Sequence, residues 1–166
     1  MKSPLFSAVI FTFLLFSCSQ ADEGLNLFAK VDKETISNEA TYSELESELL
    51  VLVNNYRVEK NLPSLEVLNQ ISNVADEHTN YMISTGDVSH ANFEERASNL
   101  IKNAGAKKVS ENVAYGYSTA KSVLNGWLNS PEHKKIIETS DFTHFGISTE
   151  SNSKGRNYFT QIFITK

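Results

Sequence analysis

Three short stretches of this chain combine ionisable side chains with the glycine, proline or aromatic residues that are typical of loops and turns. They contain His90, Glu111 and His133, one in each stretch. Two imidazoles and one carboxylate are the smallest set that makes an open metal site, with a position left for water on zinc, or an acid–base pair. The sequence has no Gly-rich phosphate loop, paired Cys-x-x-Cys, His-Glu-x-x-His or Gly-x-Ser-x-Gly motif that competes with them. These three residues are therefore the candidate catalytic or metal-binding residues.

The remaining histidines have structural interpretations. His78 falls on the apolar stripe of a predicted helix, so it is interpreted as a core or helix-packing residue. His144 alternates with Phe145 and Ile147 in a predicted strand, so it faces either the solvent or a neighbouring layer and is also interpreted as structural. Glu111 precedes a strand-like segment of small residues that draws it inward, and a buried carboxylate needs a histidine or a cation as a partner. A Glu–His hydrogen bond that fixes a loop is thus the alternative to a metal site.

The N-terminal segment has the pattern of an export signal. Lys2 is followed by an apolar run that ends at Ser17-Cys18, which is typical of a secretory signal and too short to span a bilayer comfortably. The residues before Cys18 resemble a bacterial lipobox, so we predict a lipoprotein-type signal peptide over residues 1–17 and lipidation at Cys18. An ordinary signal peptide is the alternative. Residues 18–42 are acidic and polar and are predicted to be a tether, which leaves residues 43–166 as one domain.

The charge of the chain limits its partners. The net charge is −5, and removal of residues 1–17 with their one lysine brings it to about −6. An acidic protein of this kind is not expected to bind nucleic acid, nor an anionic membrane surface by charge. Any attachment to a membrane is therefore expected to come from a lipid anchor.

Hydrophobic periodicity predicts helices first and strands afterwards. The predicted helices cover about 43–60, 67–85, 94–103, 118–129 and 131–137, and the predicted strands cover about 111–115, 144–148 and 158–164. The last strand is apolar on both faces and has to be covered on both sides. The predicted class is α+β, a three-layer α-β-α sandwich with a small, mainly antiparallel sheet between the helices.

Six motifs follow one another along the predicted domain. They are Asn54-x-Tyr56-Arg57-x-x-x-x-Leu62-x-x-Leu65, Ser89-His90, Glu111-Asn112-Val113-Ala114, Trp127-x-Asn129-Ser130-Pro131-x-His133, Phe142-x-x-Phe145-Gly146-Ile147 and Tyr158-x-x-Gln161. In these motifs and their order the chain resembles the bacterial branch of the CAP superfamily over about residues 43–166. That family is named after cysteine-rich secretory proteins, antigen 5 and pathogenesis-related 1 proteins, and its domain is also called SCP.

The resemblance implies an extracytoplasmic α-β-α sandwich with a cleft lined by a His, Glu, Glu, His tetrad. By position, His90, Glu111 and His133 match three members of that tetrad. The second Glu falls at Ser130, Glu132 replaces it only if the local backbone permits, and the disulfides of the family are absent. Family members resemble metal binders or bind sterols or lipids, and protease activity has been claimed for a few.

These expectations favour a binding or interaction module of the bacterial cell envelope over an enzyme. Its His/Glu cleft is expected to hold zinc or another divalent metal, or to be braced by hydrogen bonds alone. Its ligand is a lipid, peptide or protein, and the protein is expected to be exported and then lipid-anchored or secreted. The alternative function is a metal-dependent, protease-like hydrolase that uses His90, Glu111 and His133.

Overall fold

The computed structural model describes residues 41–166, so the predicted signal peptide, Cys18 and most of the predicted tether lie outside the described residues. The described part of the chain contains five helices and four strands. In chain order they are α1 (Glu44–Glu59), β1 (Glu66–Val67), α2 (Asn69–Thr85), α3 (Phe93–Ala104), β2 (Lys108–Tyr115), α4 (Ala120–Leu128), α5 (Pro131–Ile137), β3 (His144–Ser151) and β4 (Asn157–Thr165).

The helix ends follow from local sequence signals. Ser43 caps α1 in a capping box, in which its hydroxyl accepts from the Glu46 amide and the Glu46 carboxylate accepts from the Ser43 amide. Gly86 ends α2 with a φ of 72°, a left-handed conformation that favours glycine. Thr119 caps α4, and Pro131 opens α5, where its missing N–H is not needed. The predicted helix starts and stops are thus confirmed to within a few residues.

The four strands form one mixed sheet in the order β1-β3-β4-β2. β3 and β4 form an antiparallel hairpin, β2 pairs antiparallel with β4, and the short β1 pairs parallel with β3. Because β2 ends the row, one of its two sides is an edge of the sheet. That edge strand carries Glu111, while His144 lies near the opposite edge, 3.4 Å from the Glu66 carboxylate.

Helices cover both faces of the sheet, which confirms the predicted α-β-α sandwich. On one face, aromatic and aliphatic side chains of β3 and β4 pack with α1 and α4, and this core includes the fully buried Phe145 and Phe163. On the other face, Ile162 and Ile164 of β4 pack against Ile71 of α2 and other apolar residues of α2 and α3. This side needs Gly146, because a Cβ there would lie 2.5 Å from the backbone nitrogen of Ser72.

Two buried polar side chains of α1 fix the segments that lead to the site. Asn54 exchanges two hydrogen bonds with the backbone of Leu65, at 2.8 and 2.9 Å. Arg57, fully buried, donates from Nη1 to the carbonyls of Ile137 and Thr139 at 2.7 and 2.8 Å. The C-terminal end of α5 is therefore held against α1, which positions the helix that carries His133.

The sequence-based prediction differs from the structure at the starts of α2 and β2 and in its assignment of Tyr42. Val67, predicted to begin the second helix, lies in β1, and α2 starts at Asn69. The second strand begins at Lys108, three residues before the expected start. Tyr42, assigned to the tether, packs on the core and its hydroxyl is 2.7 Å from Ser72 Oγ. Among residues 41–166, no helix has the length and apolarity needed to cross a membrane.

Candidate functional site

Glu111 lies in the edge strand β2, with its side chain directed to the α2–α3 side of the sheet. Its side chain is 1 % exposed. A carboxylate taken so completely out of water is unfavourable unless charge and hydrogen bonds compensate. The environment of Glu111 therefore decides what this site does.

Arg96 of α3 forms a bidentate ion pair with this carboxylate. Arg96 Nε donates to Glu111 Oε2 and Arg96 Nη2 donates to Glu111 Oε1, both at 2.8 Å. Nη1 of the same guanidinium donates to the Ala91 carbonyl at 2.6 Å. Paired N–H donors match the two oxygens of a carboxylate, so this is the strong form of an Arg–Glu interaction. Both carboxylate oxygens of Glu111 are engaged by one arginine.

His90 adds a third hydrogen bond to the carboxylate. Its Nδ1 lies 2.9 Å from Glu111 Oε1, and its side chain is 50 % exposed. Because the ionised carboxylate only accepts, Nδ1 carries the proton and Nε2 is left as the second ring nitrogen, able to accept. A carboxylate that fixes the tautomer of an imidazole in this way is common in metal and acid–base sites.

The pKa of Glu111 reflects the opposing effects of burial and of its hydrogen-bonding partners. Burial alone would raise the pKa, but the hydrogen bonds from His90 and Arg96 and the positive charge of Arg96 outweigh it and lower the pKa below its ordinary value of 4.5. Glu111 is therefore ionised at neutral pH. It is a fixed negative charge whose partners are inside the protein.

His78 also touches this network, although the sequence assigns it only a structural role. The residue is 2 % exposed, as expected for a core position on α2. Its Nε2 lies 2.8 Å from the Ser89 carbonyl oxygen and 3.7 Å from Glu111 Oε1. Burial lowers the pKa of His78, and the nearby charge of Glu111 opposes that shift. We call His78, His90, Arg96 and Glu111 together the Glu111 network.

His133 lies on α5, beside the same edge strand. It is the third residue of that helix, is half-buried, and its carbonyl accepts a 3.3 Å hydrogen bond from Asn112 Nδ2. Burial lowers the pKa of His133, and the charge of His90 lowers it further. The two imidazoles therefore share one neighbourhood, while the structure gives His133 no hydrogen bond to Glu111.

The position of the second tetrad glutamate holds no acidic side chain. Ser130 is the N-cap residue of α5 and makes no side-chain capping bond. Glu132, two residues after Ser130, is exposed, and its charge opposes the lowering of the His133 pKa. The structure thus brings His90, His133 and Glu111 to one edge of the sheet and leaves the place of the fourth tetrad residue without a carboxylate.

The donor set does not fit a divalent metal held by all three predicted residues. Metal ligation by Glu111 would have to compete with Arg96, which donates to both carboxylate oxygens, and with His90, which donates to Oε1. In the part of the chain that the structure describes, no three His, Cys, Asp or Glu side chains are arranged to hold a metal ion. His90 Nε2 and the ring of His133 remain as two imidazoles, fewer than the three protein ligands of ordinary catalytic zinc sites.

Arg96 is the residue of the network that the sequence did not reveal. It stands in a short, highly charged helix, 15 residues before its partner, where an arginine is most simply interpreted as a surface residue. The signal was indirect: an inward-drawn Glu111 requires a cation, and the chain has only three arginines. His78 was placed correctly in the core, but its contact with Glu111 depends on the packing of α2 against the sheet.

Comparison with known proteins agrees with this architecture. The sequence profile of the Cysteine-rich secretory protein family (CAP) matches residues 50–163. The uncharacterized membrane protein YlbC of Bacillus subtilis is 32% identical over 124 residues, which is 73% of this chain and 34% of that protein. The uncharacterized protein YkwD of the same organism is 29% identical, over 83% of this chain and 54% of that protein. This chain therefore spans about a third to a half of the length of these curated relatives.

Solved structures share the fold. An outer surface protein from Borrelia burgdorferi superposes with a TM-score of 0.69 at 21% identity, covering 79% of this chain and 99% of that one. An extracellular protein with an SCP domain from Bacillus anthracis gives a TM-score of 0.65 at 27% identity, covering 78% of this chain and 45% of that one.

Fold and site together define an α-β-α sandwich with His and Glu motifs at the edge of its sheet. In addition, the family profile matches most of the domain, and this match establishes the family membership. This chain belongs to the Cysteine-rich secretory protein (CAP) family, and its relatives include proteins named as membrane or extracellular proteins.

Proposed function

We propose that this protein is an extracytoplasmic binding module of the bacterial cell envelope, held at a membrane by a lipid on Cys18. In this proposal, His90 and His133 contact the ligand, and Glu111 is a brace that holds His90 in place. The observation that carries the proposal is the complete engagement of the Glu111 carboxylate by Arg96 and His90, at 2.8 and 2.9 Å. These hydrogen bonds support a positioning role for Glu111 over the role of a metal ligand.

Exposed side chains in the loop before His90 and at the end of the edge strand favour a peptide or protein segment as the ligand. Val88, two residues before His90, is 39% exposed, and Tyr115, at the end of the edge strand, is 44% exposed. Exposed apolar and tyrosine side chains beside polar groups are typical of protein interaction surfaces. The membrane and extracellular names of the relatives support a location in the envelope.

The hydrolase alternative has weaker support. A metal-dependent hydrolase activates a water molecule on its metal ion, and in the part of the chain that the structure describes no three His, Cys, Asp or Glu side chains are arranged to hold one. The His90–Glu111 pair also resembles an oriented general base, but covalent hydrolysis requires a hydroxyl or thiol beside that base. Among residues 41–166, no hydroxyl or thiol hydrogen-bonds the imidazole of His90. The pair is therefore better suited to hold an imidazole at a binding surface.

Zinc titration by calorimetry tests the proposal, with His90→Ala, His133→Ala and Glu111→Gln measured beside the unmodified protein. Two imidazoles without a carboxylate ligand should bind zinc weakly, with a Kd above about 10 μM, well short of a closed site. Each His→Ala variant should abolish this binding. Glu111→Gln should change it only modestly, because it alters the brace and not a ligand.

Two outcomes would contradict this proposal, the first for the brace at Glu111 and the second for the binding module. Submicromolar zinc binding that disappears in a folded Glu111→Gln variant would make Glu111 a metal ligand. Zinc-dependent cleavage of casein that is lost in His90→Ala would restore the hydrolase.

A further inference from the structure

The edge strand β2 lies between the elements that carry the two imidazoles of the site. Glu111 accepts a hydrogen bond from His90, which belongs to the loop before α3, and the next residue, Asn112, donates one to His133 on α5. Successive side chains of a strand point to opposite faces of the sheet. Two adjacent residues of β2 therefore contact both histidines, Glu111 from the face covered by α2 and α3 and Asn112 from the opposite face.

The two histidines are held in different ways. The ring of His90 is fixed by its own hydrogen bond to Glu111. Among residues 41–166, the ring of His133 makes no hydrogen bond, and the contact with Asn112 is made by its backbone: Asn112 Nδ2 donates to the His133 carbonyl at 3.3 Å. The position of the His133 ring therefore depends on how its backbone is held against β2, and Asn112 is the side chain that makes this bond.

Asn112 is one of two fully buried amides that lie opposite each other in the sheet. The other is Gln161, its partner in the pairing of β2 with β4. Within the described part of the chain, neither amide atom of Gln161 has a hydrogen-bond partner, and neither does Asn112 Oδ1. Unpaired buried amides are unfavourable, and apolar side chains of the same shape would avoid that cost. Core stability therefore does not account for Asn112, whereas its bond to α5 gives it a positional role.

We propose that Asn112 is a positioning residue that holds His133 where its imidazole and that of His90 can contact one ligand. The inference rests on the proposed function, in which these two histidines contact the ligand. Glu111 orients the His90 ring through the ring itself, and Asn112 places the His133 ring through the backbone of α5. The spacing of the two imidazoles is then set by neighbouring residues of one strand.

Two-dimensional carbon–proton NMR of the imidazole rings tests this role, on the full chain in neutral detergent, first without metal and then with zinc as the probe. The variant is Asn112→Leu, which keeps a similar branched shape and removes the donor. Without zinc, it should shift the ring signals of His133 more than those of His90, because only the contact with α5 is lost. It should also weaken zinc binding about tenfold, as is typical when a residue that holds a metal ligand in place is replaced.

Thr160→Val is the matched control. Thr160 of β4 is also fully buried, but it faces α2, where its hydroxyl lies 2.9 Å from that of Thr79. The control removes a buried hydrogen bond of the same sheet and should leave the His133 ring signals and the zinc affinity unchanged. A general loss of stability would act in both variants, so the difference between them measures positioning. Asn112→Ala is the second variant, for the case in which leucine does not pack at this site.

Three results would overturn the role of Asn112. The first is a folded Asn112 variant with unchanged His133 ring signals or unchanged zinc affinity, and the second is an equal change in the Thr160→Val control. The third is a loss of folding in both Asn112 variants, which would make Asn112 a structural residue only. Failure of the proposed function gives a different result: the unmodified protein would bind no zinc, while the His133 ring signals would still shift in Asn112→Leu and support the contact with α5.

Discussion

Replacement of Arg96 by methionine is the perturbation to which the fold should be most sensitive, because it leaves Glu111 charged and buried without its main partner. The substitution keeps most of the side-chain volume and removes the two 2.8 Å bonds to the carboxylate and the 2.6 Å bond to the Ala91 carbonyl. Breaking a buried ion pair by removing one partner typically costs about 3–5 kcal/mol. Since domains are stable by only about 5–15 kcal/mol, Arg96→Met should lose a large share of its stability at pH 7.

The same reasoning predicts a recovery in the double variant. Glu111→Leu in the Arg96→Met background removes the unpaired charge and should restore most of the lost free energy of unfolding, because apolar replacement of both partners is often neutral.

Arg96→Met should also invert the pH dependence of the stability that Glu111 contributes. In the unmodified protein the pKa of Glu111 is lowered in the folded state. The stability that its ionised carboxylate contributes is therefore present above pH 4.5 and is lost as the pH falls through the folded-state pKa. In the Arg96→Met variant, burial should raise the pKa of Glu111, so acidification should increase the stability of the folded state.

Urea denaturation followed by circular dichroism measures these free energies, with a double-mutant cycle for the pair. Arg156→Met is the matched control, since Arg156 is exposed in the turn between β3 and β4 and should change stability by less than about 0.5 kcal/mol. A loss below about 1 kcal/mol for Arg96→Met, or a double variant no more stable than the single one, would refute the account of Glu111 as a braced buried charge.

Four further predictions concern the core, the pH response and the N-terminal segment. Trp127→Ala should cost about 3–5 kcal/mol in the same assay, because the indole is 2% exposed and is packed in the core; a loss below about 1 kcal/mol would place it at the surface. The lowered pKa values of His78 and His133 mean that the unfolded chain binds more protons below 6.5, so stability should fall as the pH drops through that value. His78→Asn should flatten this slope between about pH 7 and 5, and an unchanged slope would contradict the assignment. Residues 41–166 should fold alone with one cooperative melt that reductant does not change; a reductant-dependent melt would mean that the fold uses a disulfide. Cys18→Ser should move the protein from the membrane fraction to the soluble fraction, and unchanged fractionation would refute lipidation.

The sequence predicted those parts of the fold that depend on local signals. The N-cap at Ser43, the stop at Gly86 and the helix-opening Pro131 set helix boundaries within a few residues, and the doubly apolar last strand required helices on both faces. β1 was missed because two residues carry no periodicity and its pairing depends on β3, far along the chain. Val67 was assigned to the helix because its apolar side chain extends the stripe of α2.

The candidate site was predictable in its residue types but not in its chemistry. Motif order pointed to His90, Glu111 and His133 together, yet whether Glu111 is a ligand or a brace depends on Arg96. That contact joins α3 to β2 through tertiary packing, and no spacing rule relates the two residues. The role of His78 was likewise hidden, since burial alone does not show that its ring lies 3.7 Å from Glu111.

A crystal structure of the domain grown with zinc at neutral pH tests the central claim most directly, which is that Glu111 is a brace and not a ligand. The account predicts that Arg96 keeps both bonds to the carboxylate and His90 keeps the third, with any bound zinc on His90 Nε2 and the His133 ring. Zinc at about 2.0–2.2 Å from a Glu111 oxygen, with the Arg96 side chain displaced, would contradict it.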